Sequence, residues 1–110
     1  MVNVFYFDLR EGSTDNFNTL SDKEYIFWDQ KSGKMKLGDF CLIYFGKNNQ
    51  LFTTKIIEDD IIPKEENGKW HIKYNGKSYP FETDKKYDKF FCFKKISSYS
   101  VEDSLKIGPQ

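Results

Sequence analysis

Trp28 is followed by Asp29 and Gln30 and then by Lys31, Lys34 and Lys36, with no acidic residue from position 30 to 38. An indole offers a flat π face for stacking, a carboxylate or amide offers hydrogen bonds to a polar ring edge, and ammonium groups neutralise phosphates. Together these are the means of holding a base and its backbone. Tyr44 and Tyr6 are candidate further walls of such a site, and Asp8 or Asp29 a candidate reader of the base edge. A tryptophan at a strand end also serves as a plug of the core, and Trp70 is open to the same two readings.

Catalytic groups are scarce. The single histidine, His71, lies beside Trp70 in a stretch of strand character and reads as a partly exposed strand residue rather than a general base. Cys41 and Cys92 sit in the apolar runs Phe40-Cys41-Leu42 and Phe91-Cys92-Phe93, with no histidine or helix start beside them to activate a thiol. They are expected as buried free thiols, although spacing alone leaves a disulfide open. One histidine and two distant cysteines make no zinc pair, and Glu58-Asp59-Asp60 lacks the alternating ligands and glycine of a calcium loop. Asp8, Asp29 and Asp39 leave a hydrolytic carboxylate pair open. The balance favours a non-enzymatic domain without a cofactor.

Composition sets the frame for these residues. A chain of 110 residues suits one domain, residues 1–110, and its 11 Phe, 7 Tyr and 2 Trp supply enough apolar area for a core despite a mean hydropathy of -0.70. Lysine plus arginine and aspartate plus glutamate each number 17, so bulk charge does not drive binding to a polyanion. Acids outnumber bases before residue 61 and bases outnumber acids after it, so an anion-binding face would be local. No apolar run approaches the roughly 20 residues that cross a bilayer as a helix. With no signal peptide and two thiols in apolar runs, a reducing, cytoplasmic location and no membrane partner are expected.

The elements that must position the site read mainly as strands. Val2 to Leu9 predicts a central strand with Phe5, Phe7 and Leu9 on one face and Val4, Tyr6 and Asp8 on the other. Glu11 to Asp22 reads as a loop with a helical turn near Phe17 to Leu20, and Tyr25 to Trp28 as a strand. The Gly38-Asp39 bend leads into Phe40 to Phe45, an almost unbroken apolar run expected at the core of the sheet. Gly46 to Asn49 predicts a hairpin turn into Leu51 to Glu58. Asn75-Gly76 predicts a second hairpin between Trp70 to Tyr74 and Lys77 to Phe81. Lys89 to Ile96 is the last strand, and Ser100-Val101-Glu102-Asp103 has the spacing of a capping box for a short helix. Strands and turns at these intervals suggest a closed or nearly closed small barrel.

The order of these elements resembles the PUA-like superfamily: an aromatic first strand, a loop, a strand ending in Trp28, then Met35-Lys36-Leu37-Gly38-Asp39 before the apolar strand Phe40 to Phe45. It is most similar to EVE and YTH domains and to the N-terminal DNA-binding domains of McrBC-type restriction systems. The likeness covers residues 2 to 58 and the closing strand Lys89 to Ile96. It implies a mainly β (α+β) barrel of about six or seven strands with one or two short peripheral helices. It also implies recognition of a modified, methylated base flipped into an aromatic pocket, with DNA favoured over RNA. Partners would be a fused or associated nucleotide-driven motor and a nuclease subunit, for which Ile107-Gly108-Pro109-Gln110 reads as a linker-like end.

On that basis Trp28 and Tyr44 are expected to sandwich the base, with Lys31, Lys34 and Lys36 on flanking phosphates. Flipping a base costs a few kcal/mol and stacking returns roughly 1 to 3 kcal/mol per ring, so one ring alone barely breaks even. Two alternatives stand beside this reading: a B3-like domain reading duplex DNA through the major groove, and a protein-interaction module anchored by Trp70 and Tyr74.

Overall fold

The computed structural model describes residues 2–9, 20–30, 34–46, 49–81 and 89–100. They form eight strands: β1 (Val4–Leu9), β2 (Tyr25–Asp29), β3 (Phe40–Phe45), β4 (Gln50–Ile61), β5 (Lys64–Glu66), β6 (Lys69–Tyr74), β7 (Lys77–Phe81) and β8 (Phe90–Ser100). Five build one sheet in the order β1-β3-β4-β8-β2, and three build a second in the order β5-β6-β7. Only the β1–β3 pair is parallel. No helix occurs among the described residues. Of the helical turn expected near Phe17 to Leu20 only Leu20 lies within them, and of the capping box Ser100 to Asp103 only Ser100, which ends β8.

Two-residue alternation sorts the side chains of the large sheet onto two faces. Ile26, Cys41, Ile43, Phe45, Phe52, Ile56, Phe91 and Phe93 are buried together on the inner face, with Phe5, Phe7, Leu9 and Trp28 packed against them. The sheet curls around this cluster so far that its two edges meet through side chains: the rings of Phe7 on β1 and Trp28 on β2 have centroids 6.2 Å apart. Register shifts along the 12-residue β4 mark where that strand bends. The edges share no ladder, so the barrel expected from strand count is an open, curled sheet of five strands beside a separate sheet of three.

The small sheet packs on the outer face, but only over the β8–β2 half. Ile72, Tyr79 and Phe81 from the small sheet join Phe27, Ile61, Phe90 and Cys92 in a second buried cluster, with Tyr25, Trp70 and Tyr74 against it. β2 and β8 are therefore apolar on both faces, and Phe90 to Phe93 are four consecutive buried residues. β3, by contrast, strictly alternates: Cys41, Ile43 and Phe45 are buried, whereas Phe40, Leu42 and Tyr44 are half-exposed. Its unbroken apolar sequence suggested burial on both sides, and the structure gives it one. β1, expected in the middle of the sheet, is an edge strand.

Turns follow from local chemistry. Asn75 and Gly76 have φ of 50° and 77°, the left-handed pair that a two-residue hairpin requires. Asn67 and Gly68, at 53° and 78°, do the same between β5 and β6, a hairpin that the sequence reading passed over. Cys41 and Cys92 are free and buried, one in each cluster and hence on opposite faces of the sheet. Burial pushes both thiols up to about 12, which leaves them protonated and inert.

Two aspartates pin the strands. The Asp39 N–H donates to the Lys36 carbonyl (3.0 Å) with Gly38 at φ 88° between them, a type II turn. The buried Asp39 carboxylate accepts from the backbone N–H of Lys36 (2.9 Å) and, across the sheet, of Asn3 (3.1 Å). It thereby sets the start of β1 beside β3. At the other edge the Asp22 carboxylate accepts from the N–H groups of Glu24 (2.8 Å) and Tyr25 (2.9 Å), from Lys77 Nζ (3.3 Å) and from the Tyr79 hydroxyl. It ties β7 of the small sheet to the entry of β2. Burial opposes ionisation of Asp22, but the Tyr79 hydroxyl, the two backbone donors and Lys77 outweigh it and hold the carboxyl down at about 2.

Two outcomes follow for stability. Asp39→Ala strands two backbone donors and should lower unfolding free energy by about 2–4 kcal/mol, read as a fall in urea midpoint with the slope unchanged. Asp22 ionises more readily in the folded state than in the unfolded chain, whose value is near 3.9. Its contribution, about 1–2 kcal/mol after solvent screening, is therefore complete above pH ~4 and lost as pH falls towards 2. Asp22→Asn should lower the midpoint at pH 7 and converge with the wild type near pH 2.

Candidate nucleic-acid interface

β1 and β3 run parallel in a register that places Val4 beside Phe40, Tyr6 beside Leu42 and Asp8 beside Tyr44. All six side chains belong to the outer face, because Phe5, Phe7, Cys41, Ile43 and Phe45 occupy the inner one. The register continues through β4 and β8 as three rows: Val4–Phe40–Lys55–Lys94, Tyr6–Leu42–Thr53–Ser97 and Asp8–Tyr44–Leu51–Tyr99. This is the half of the outer face that the small sheet leaves uncovered. Tyr6 is 55% exposed and Tyr99 57%, values far above those of core rings such as Phe45 at 1%.

The rows differ in chemistry along the strands. At the Phe40 end two cations lie opposite each other in register, Lys55 and Lys94, and Lys55 Nζ stands 5.7 Å from the centre of the Phe40 ring. Lys36, also exposed, belongs to the turn that enters β3 at the same end. At the Tyr44 end the rows carry tyrosines and the exposed carboxylate of Asp8. Thr53 Oγ1 and Ser97 Oγ are hydrogen-bonded across the middle row, and Ser97 Oγ donates to the Tyr99 hydroxyl at 3.2 Å. The result is an outer face that carries rings, with cations at one end of its rows and one acid at the other.

Of the residues singled out in the sequence, the structure brings together Tyr6, Asp8 and Tyr44. It separates them from Trp28, which points to the inner face, pairs with Phe91 across the ladder and packs against Phe7. Trp28 and Tyr44 therefore cannot enclose one base between them: the sheet lies between their rings. Asp29 ends β2, separated from β3 along the ladders by β8 and β4, at the edge that the curl brings back towards β1. The amide of Gln30 is engaged with Asp60, donating to its carboxylate (3.1 Å) and accepting from its N–H (2.9 Å), while Lys89 pairs with the same carboxylate at 3.5 Å. Lys34 and Lys36 are exposed, and Lys31 lies outside the described residues.

His71 is far from this face in the small sheet, where Nδ1 shares a hydrogen bond with Ser78 Oγ (3.0 Å). Sequence reasoning missed Lys55, Lys94 and Tyr99. Their alternation was legible, but which strands lie side by side was not, and β8 runs to Ser100 rather than stopping at Ile96. No family model matches this chain, and comparison with curated proteins and with solved structures finds no match to either.

Proposed function

We propose that this chain is a non-catalytic nucleic-acid-binding domain whose contact surface is the open half of the outer sheet face. Tyr6 and Tyr44 stack on unpaired or extruded bases, Asp8 accepts hydrogen bonds from a base edge, and Lys36, Lys55 and Lys94 meet phosphates. The observation that carries the reading is the convergence of Tyr6, Asp8 and Tyr44 on one solvent-facing surface with a cationic end. Exposed rings on a rigid sheet hold bases at little conformational cost, and each stacked base is worth roughly 1–3 kcal/mol. The likeness to PUA-like readers points the same way. A methylated base is the ligand it implies, but a closed cage needs rings on two sides of that base, and this face offers rings on one.

The inactive state of both thiols and the engagement of His71 with Ser78 support a binding role over a catalytic one. The test is fluorescence anisotropy with labelled oligonucleotides. Tyr44→Ala and Tyr6→Ala should each weaken binding by roughly 1–3 kcal/mol while the urea midpoint stays near that of the wild type. Trp28→Ala is the contrasting variant. It removes a ring packed on Phe7 and Phe91 and should cost about 2–3 kcal/mol of stability, with affinity retained where the protein is folded. Absence of binding to any oligonucleotide would overturn the proposal in favour of a protein partner on the same face.

A further inference from the structure

We infer that the open face takes a short run of unpaired nucleotides from a single strand, with Tyr99 as a third stacking ring. This deepens the proposed function and rests on it. Tyr99 lies in the same register row as Tyr44, joined to it through Leu51, and is more than half exposed. Its hydroxyl accepts a hydrogen bond from Ser97, two residues earlier on the same face of the same strand, and Ser97 is in turn bonded to Thr53. Side chains two residues apart along a strand are separated by about 6.6–6.8 Å, so a tyrosine hydroxyl reaches back that far only if its ring lies along the sheet. The tether therefore holds the long axis of the Tyr99 ring along the strand, while more than half of the residue stays exposed.

Spacing selects the ligand. Tyr6 and Tyr44 are diagonal neighbours on adjacent strands, about 7–8 Å apart, and Tyr99 lies two strands beyond Tyr44, at about 10 Å. Bases in a duplex are stacked at about 3.4 Å with their faces covered, so a duplex cannot lay successive bases on rings this far apart. A single flipped base would occupy one ring and leave two unused. An unstacked strand has both free base faces and a backbone long enough to step between rings. Among the three rows only Asp8 is acidic, and the lysine end receives the phosphates as the strand crosses the sheet.

The test uses the intact chain and three labelled probes: a mixed-sequence single-stranded DNA, the RNA of the same sequence and the matched duplex. At least one single strand should bind about tenfold or more tighter than the duplex, with log affinity falling against log salt at a slope of about -2 for three phosphate contacts. Tyr99→Ala should weaken single-strand binding about 5- to 100-fold and leave duplex binding unchanged. Tyr99→Leu, which keeps apolar bulk without a ring, should do the same and covers the case in which the alanine variant fails to fold. Duplex binding equal to or tighter than single-strand binding, or single-strand affinity indifferent to Tyr99→Leu, overturns this inference while the nucleic-acid reading stands. Failure of all three probes to bind removes both.

Discussion

Four consecutive side chains of β8, Phe90 to Phe93, are withdrawn from water, with Phe91 and Phe93 on the inner face of the large sheet and Phe90 and Cys92 on the outer one. A strand can be buried on both faces only where a second layer covers it. The small sheet provides that layer with Ile72, Tyr79 and Phe81. Because it is only three short strands wide, it covers the β8–β2 half of the outer face and no more. Among the described residues, the half left uncovered, with its rows of Tyr6, Tyr44 and Tyr99, follows from this partial cover.

Burial alone would leave both sheets free to slide, and the polar anchors restrict that freedom. Asp39 joins β1 to the turn before β3 in a buried, charge-assisted pair of hydrogen bonds, and Asp22 joins β2 to β7 across the two sheets. Thr54 is fully buried on the inner face, and its hydroxyl donates to the Cys41 carbonyl at 2.8 Å, so the polar group inside the aromatic cluster is satisfied. With strand register held in this way, rings on the outer face are presented by backbone that has little room to move. The stacking proposed for this face draws on that rigidity, since an ordered ring loses less freedom on binding.

The same sheet shows why an aromatic residue's identity is a poor guide to its role. Trp28, the most conspicuous ring in the sequence, closes the gap between the two sheet edges by packing on Phe7, and its neighbours Gln30 and Asp60 lock β2 to β4. The less conspicuous Tyr6 and Tyr99 are the exposed rings. Free energy separates the cases: an indole packed on phenylalanines gains from leaving water, whereas a tyrosine keeps a hydroxyl that favours a wet or hydrogen-bonded position.

Local chemistry in the chain was enough to determine every strand but β5, the Asn75-Gly76 hairpin, the bend at Gly38-Asp39, the burial of both thiols and the shared face of Tyr6 and Asp8, because each depends on residues a few positions apart. The Asn67-Gly68 hairpin carried the same signal and was equally readable. What needed the tertiary structure was the edge position of β1, the one-sided burial of β3, the assignment of Trp28 to the inside, and the placing of Tyr44 on one face with Lys55, Lys94 and Tyr99. Alternation says only that a strand has two faces. Which face is covered depends on strand order and on where the second sheet docks, and both are settled by contacts between residues far apart in the chain.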